Sequence, residues 1–152
     1  MERILFVCTG NTCRSPLAQA LLKEKRPDFE VKSAGVNALP GMNASEGTIQ
    51  VLAKKGIKLN HVSSQVNIEL VGWADIILAL TEGHKQQLIK NFPGFENKIY
   101  TLKEAAFKEE VENSEQKISS FSISDPFGGS IEVYEKTANE IETTIDKFLK
   151  KL

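Results

Sequence analysis

The first apolar run along the chain, "RILFVC" at 3–8, is short and apolar at successive positions, which predicts a strand buried on both faces. A Thr-Gly-Asn triplet breaks the run. Ser15-Pro16 then reads as a helix N-cap followed by proline at the first helical position. Leu17, Ala18, Ala20, Leu21 and Leu22 supply an apolar stripe that ends at Pro27. "FEVKSAG" at 29–35 alternates weakly and predicts a second strand. "NASEGTIQVLAKKG" at 43–56 predicts a helix, with lysines in its last turn and Gly56 just beyond its end.

"ADIILAL" at 74–80 predicts another core strand, with the lone Trp73 at its start as core or rim. Thr81 reads as the cap of a helix running through Lys90, with Leu88 and Ile89 inward and His84 on its surface. "NKIYTL" at 97–102 predicts a fourth strand. From Lys103 to Ser124 the periodicity fails. That stretch is charged and serine-rich, and it reads as a surface excursion with one or two helical turns near 104–111. Its glutamates, Glu104 to Glu115, read as a solvated face. From Ile131 apolar residues return at spacings of three and four: Tyr134, Ala138, Ile141, Ile145, Phe148 and Leu152. They predict one long amphipathic helix. Strands alternating with helices predict an α/β fold in three layers, with a parallel sheet and right-handed crossovers, in one domain spanning 1–152.

Composition narrows this picture. The chain of 152 residues is 41% apolar and 26% charged, as expected of one globular domain. A net charge of −1 supplies no field to gather nucleic acid or a membrane surface. No segment reaches the roughly 18 apolar residues of a membrane span. "MERILFVC" carries both charge signs and lacks the pattern of a signal peptide, so a cytoplasmic location is expected. Oligomeric state leaves no mark in the sequence.

Chemistry concentrates at 8–15, "CTGNTCRS", between the first strand and the first helix. In an open α/β sheet, ligands bind beyond the carboxyl ends of the strands. The amides of a tight loop there, Thr9 to Ser15, with a helix N-terminus behind them, form an anion cradle. Gly10 lets the backbone curl, and Asn11 tolerates left-handed geometry. Arg14 adds a planar fork suited to phosphate oxygens. A thiol beside an arginine and a helix N-terminus is a nucleophile, so Cys8 predicts phosphoryl transfer through a thiophosphate. Ser15 is placed to donate a hydroxyl to the sulfur. Cys13 reads as packing, or as a redox partner for Cys8 that would make the loop redox-sensitive. "SDPFGG" at 124–129 offers Asp125, either a simple Asp-Pro turn or a general acid for the leaving group.

Together, "CTGNTCRS" and "DPFGG" resemble the C-x5-R-S loop and the acid loop of low-molecular-weight protein tyrosine phosphatases. The resemblance extends along the chain through "SAGV" and "NHVSSQ". It implies a four-stranded parallel sheet with helices on both faces, phosphorylated protein substrates, and no metal or organic cofactor. It also implies Cys8 as nucleophile, Arg14 as phosphate clamp, Ser15 as thiolate partner and Asp125 as acid. Asn11, Ser33 and His61 would form the polar network that shapes the loop, and Phe127 would lie beside the substrate. "VCTGNTCRSP" with Thr12, "NHVSS" and "DPFGGSIE" are most similar to the bacterial protein arginine phosphatase branch. Thr12 and Phe127 then become specificity residues, with phosphoarginine as the expected substrate and phosphotyrosine as the alternative. The stretch from Glu104 to Asp125 is longer than the family leads one to expect. Other activities of such a scaffold fit less well. A thiol-relay arsenate reductase needs cysteines downstream of Cys13, and a phosphocysteine carrier needs no acid. A phosphoresidue-binding module without activity would lack Cys8, Arg14 or Asp125.

Overall fold

The computed structural model describes residues 2–112 and 121–152. Its strands are β1 (Arg3–Cys8), β2 (Glu30–Gly35), β3 (Ile76–Ala79) and β4 (Ile99–Thr101). They form one parallel sheet in the order β2-β1-β3-β4. Its helices are α1 (Arg14–Lys25), α2 (Glu46–Lys54), α3 (Ile68–Trp73), α4 (Glu82–Asn91), α5 (Leu102–Glu112) and α6 (Ile131–Lys150).

The unbroken apolar run of β1 follows from two cores. Ile4, Phe6 and Cys8 point into a cluster with Leu17, Leu21, Leu52, Ile141 and Ile145, so α1, α2 and α6 cover that face. Leu5 and Val7 point the other way, to Val71, Ile77, Leu88 and Ile99, under α3 and α4. Burial of each such side chain contributes roughly 1.5–3 kcal/mol. A strand between two cores therefore alternates in direction but not in polarity. The expected three-layer α/β sheet is the observed one.

Several expectations shift by a residue or two. Ser45 caps α2, receiving the Thr48 N–H, while Asn43 instead bridges to Val62. Gly56 does follow the helix end, with φ of +76°. Thr81 caps α4 and Ser130 caps α6 as side-chain acceptors. Leu152, expected on the apolar stripe of α6, is 58% exposed beyond the helix end. Trp73 does not begin a strand. It ends α3, a helix the apolar pattern did not announce because only Val71 of its residues is buried. The Asn67 carboxamide, accepting from Leu70 N, starts that helix, and Lys32 Nζ lies 4.5 Å from the centre of the Trp73 ring.

The stretch after β4 is more regular than its composition suggests. Thr101 Oγ1 accepts from Glu104 N, and the Glu104 carboxylate accepts from Thr101 N, a reciprocal capping box. It launches α5 immediately, and Leu102 and Ala106 bury in the core. Glu104 is thus no solvated glutamate: it also pairs with Lys85 at 2.8 Å. Of the expected 105–124 excursion, 113–120 lie outside the described residues.

The sheet brings β2 hard against the loop that follows β1. Cys8 and Gly35 are register partners, Val36 N donates to Cys8 O, and Asn37 N donates to Thr9 O. A β-carbon on Gly35 would collide with the Thr9 carbonyl and approach Ala38 Cβ to 3.0 Å. The Thr9 atoms are backbone and have little room to give. Gly35→Ala is therefore expected to lower stability by about 1–3 kcal/mol, the usual cost of overpacking. Urea denaturation checks this, and an unchanged midpoint would mean the loop and β2 separate freely.

Candidate active site

The loop 8–15 leaves β1 and turns sharply at Asn11, whose φ of +58° is left-handed. An asparagine tolerates that geometry better than most residues, and here the surroundings fix it. Asn11 is fully buried. Its Oδ1 accepts from Ser64 N at 2.9 Å, which settles the orientation of the amide. Nδ2 then donates to Ser15 Oγ at 2.8 Å and to Ser33 Oγ at 2.9 Å. Ser33 in turn donates to Gln19 Oε1, and Gln19 Nε2 reaches the Val31 carbonyl. His61 Nε2 lies 2.7 Å from the Asn11 carbonyl. A carbonyl only accepts, so this nitrogen carries the ring proton.

The direction of these bonds matters for Cys8. Its sulfur lies 2.8 Å from Ser15 Oγ at the carboxyl end of β1. Because Ser15 Oγ accepts from Asn11, its own proton is left for the sulfur. This use of Ser15 differs from the expected N-cap. The helix begins one residue earlier, with Arg14 as its first residue and Cys13 at the N-cap without a side-chain cap. The first-turn amides are therefore left without a side-chain acceptor behind the loop, where an anion is favoured.

Arg14 is buried although charged. Its Nη1 donates to the Ile123 carbonyl at 3.0 Å, and Nη2 stands 3.5 Å from Asp125 Oδ2. Both partners belong to the segment entering α6. That segment is itself fixed: Ile123 N donates to Leu80 O beyond β3, and Glu82 N donates to Ser122 Oγ. Asp125 Oδ1 accepts from Phe127 N, closing an Asx turn, and Gly128 at φ of +78° completes the bend. The outcome is a cavity of about 260 Å³ lined by Cys8, Thr9, Gly10, Thr12, Cys13, Arg14, Asp125 and Phe127. The Phe127 ring is 76% exposed at its rim.

All the residues singled out in the sequence thus converge. Thr12 lines the cavity, and its carbonyl is held by Ser45 N and Thr48 Oγ1. Cys13 is a free, buried thiol, 3.4 Å from Ser45 Oγ and 3.5 Å from Tyr134 Oη. Ser33 and His61 stand behind the loop, outside the cavity. Sequence reasoning missed Gln19, a half-buried polar residue one helical turn after Ser15 on α1. It misplaced His84. That ring is 6% exposed, not on the surface, and its Nε2 lies 2.8 Å from Thr9 Oγ1. His84 is the third residue of α4, and Thr81 caps the turn so that the side chain points back over the sheet end toward the loop.

Such a cavity, with a sulfur at its floor, a guanidinium on its wall and a carboxylate at its mouth, suits covalent transfer of a tetrahedral anion. The chain is similar to known proteins along its whole length. A family described as "Low molecular weight phosphotyrosine protein phosphatase" matches residues 3–152. A protein-arginine-phosphatase of Geobacillus stearothermophilus is 48% identical over 151 residues, covering 99% of this chain and 95% of the relative. Another from Bacillus subtilis is 41% identical over 153 residues, covering 98% and 95%. Among solved structures, a mutant arginine phosphatase with a phosphorylated active-site serine superposes with a TM-score of 0.86 at 41% identity, covering 99% of this chain and 95% of that one.

The buried histidines tie stability to pH. Burial, reinforced by the Arg14 charge and opposed by Asp125, pushes His84 from 6.5 down to about 4. Burial lowers His61 as well, against the pull of the Asn11 carbonyl. In the window from 6.5 to about 4 the unfolded chain binds a proton at His84 that the folded chain refuses. Stability is therefore full above this window and falls as pH is lowered through it, by up to about 1.4 kcal/mol per pH unit from His84. Urea midpoints near pH 7 and near pH 5 should show this slope, and His84→Gln should flatten it. An equal slope in the variant would assign the acid sensitivity elsewhere.

Proposed function

The chain belongs to the low-molecular-weight phosphotyrosine protein phosphatase family, and on that premise we propose that it hydrolyses phosphoarginine side chains of proteins through a phosphocysteine intermediate. In the first step Cys8 attacks phosphorus as the thiolate, hydrogen-bonded by Ser15, and the phosphorus–nitrogen bond breaks. Arg14 and the loop amides take the equatorial oxygens as charge builds on them. Asp125 passes its proton to the departing guanidino nitrogen, so that neutral guanidine leaves and is protonated in solvent. In the second step the Asp125 carboxylate takes a proton from water, the oxygen attacks phosphorus, and the sulfur–phosphorus bond breaks. Inorganic phosphate departs and the thiolate returns. The setting expected for such a thiol is the reducing cytoplasm.

The observation that carries the arginine reading is Thr12. Its compact side chain bears a hydroxyl and lines the cavity beside Cys8 and Arg14, with its backbone held from α2. That leaves a polar approach for a planar, charged guanidinium. Likeness to protein arginine phosphatases supports the same reading. Phosphotyrosine is the second reading, favoured by the exposed Phe127 ring at the rim, a surface on which a phenyl ring can stack.

Comparing hydrolysis of phosphoarginine and phosphotyrosine under identical conditions tests the proposal directly. Thr12→Ile adds a methylene and removes the hydroxyl. It should shift kcat/KM toward phosphotyrosine by at least roughly tenfold, the low end of methylene-scale discrimination. A ratio that does not move removes Thr12 as selector and favours the tyrosine reading.

Asp125→Asn separates the leaving groups. Without that proton the leaving group would be a guanidinide anion, far more basic than guanidine, whose own conjugate acid already has a pKa above about 12, so its departure is prohibitive. A phenolate, with a conjugate acid near about 10, departs more readily. The variant should therefore lose far more activity on phosphoarginine than on an aryl phosphate. Equal losses would show that Asp125 is not the proton donor.

A further inference from the structure

His84 has no part in the steps above, yet it is held at both ends. Its backbone N–H donates to Thr81 Oγ1 at 3.0 Å, and its ring Nε2 lies 2.8 Å from Thr9 Oγ1 in the loop. Among the described residues its Nδ1 is buried with no hydrogen-bond partner. Burial and the nearby Arg14 charge keep the ring neutral down to about pH 4, so it carries one proton. A proton on Nδ1 would bury an N–H donor with nothing to receive it, which folded chains rarely tolerate. A proton on Nε2 leaves only an unused lone pair. The ring is therefore an Nε2–H donor, and the oxygen of Thr9 is its acceptor.

This sets the direction of the Thr9 hydroxyl. With a lone pair of Oγ1 turned to His84, the hydroxyl proton points away from the ring. Thr9 lines the cavity together with Cys8 and Arg14, and its side chain has no second hydrogen bond among the described residues. The acceptor best suited to a donor so placed is a phosphoryl oxygen. We propose that His84 is a positioning residue that, by donating to Thr9 Oγ1, fixes the Thr9 hydroxyl as a hydrogen-bond donor to a phosphoryl group in the cavity. This rests on the phosphatase reading but adds a contact beyond Arg14 and the loop amides. A hydroxyl restricted in advance loses less freedom when the anion arrives. It addresses the phosphoryl group and not the leaving group, so it serves every substrate alike, unlike Thr12 and Asp125.

The test uses the whole chain and inorganic phosphate as the probe, titrated by calorimetry. Thr9→Val and His84→Phe should each weaken phosphate binding by roughly tenfold, as expected for a hydrogen bond to a charged acceptor. The double variant should be no weaker than the weaker single one, because both remove the same contact. His84→Gln, which keeps an N–H donor at similar reach, should bind phosphate nearly as the parent does. Thr9→Val should lower kcat/KM for phosphoarginine and for an aryl phosphate by the same factor. Nitrogen-15 NMR of the parent should show the His84 proton on Nε2, with that signal moving in Thr9→Val. Unchanged phosphate affinity in Thr9→Val, additive losses in the double variant, or a proton on Nδ1 would each overturn the proposal. If His84→Phe does not fold, Thr9→Val and the NMR signature still decide. Phosphate binding requires no turnover, so weakened binding in a protein that ignores phosphoarginine would remove the substrate reading alone.

Discussion

One side chain in a left-handed turn holds the site together. Asn11 uses both protons of its amide and its carbonyl oxygen at once, joining Ser15, Ser33 and the backbone of Ser64 in a fully buried position. The chain pays conformational strain at φ of +58°, and these bonds offset it. The bonds are also directional. Ser64 N orients the amide, the amide orients Ser15, and Ser15 faces the sulfur of Cys8. The network therefore has a polarity that runs toward the Cys8 sulfur. A buried network of this kind is stable only when complete, since each orphaned member would incur the cost of a desolvated polar group.

A second constraint comes from the sheet. β1 lies between two cores and is paired on both edges, and Cys8 sits at its end. The neighbouring ends of β2 and β3 carry other parts of the site. Val36 and Asn37 tie down the loop from the β2 side, and Leu80 anchors the segment holding Asp125 from the β3 side. Placement of chemistry beyond the strand ends, where the chain direction diverges from β1 to either side, follows from topology.

Much of this was legible in the sequence, for reasons that can be named. Local signals carried far: the apolar run of β1, the cap at Thr81 and the spacing of α6 all depend on neighbours in the chain. Cys8, Arg14 and Asp125 stood out as candidates because residue types suited to nucleophile, clamp and acid are few and two of these share one loop, and the fold brings all three to one cavity. What was missed depends on distant partners. His84 looks like a surface residue of a polar helix until the fold brings Thr9 to it. Gln19 is one polar residue in an apolar stripe until Ser33 arrives from β2. α5 was underestimated because a capping box and two buried residues are enough to start a helix that composition disfavours. The short α3 buries only Val71 and leaves almost no periodic trace.

The anchoring of Ser122 and Ile123 bears on how the chain tolerates change. The carboxylate of Asp125 is referenced to β3, α4 and Arg14, and these contacts all lie close before it in sequence or across the sheet from it. None of the contacts named comes from α5. A substitution in α5 that leaves this clasp intact therefore leaves the carboxylate where it is, so that helix and the cavity are free to change at different rates.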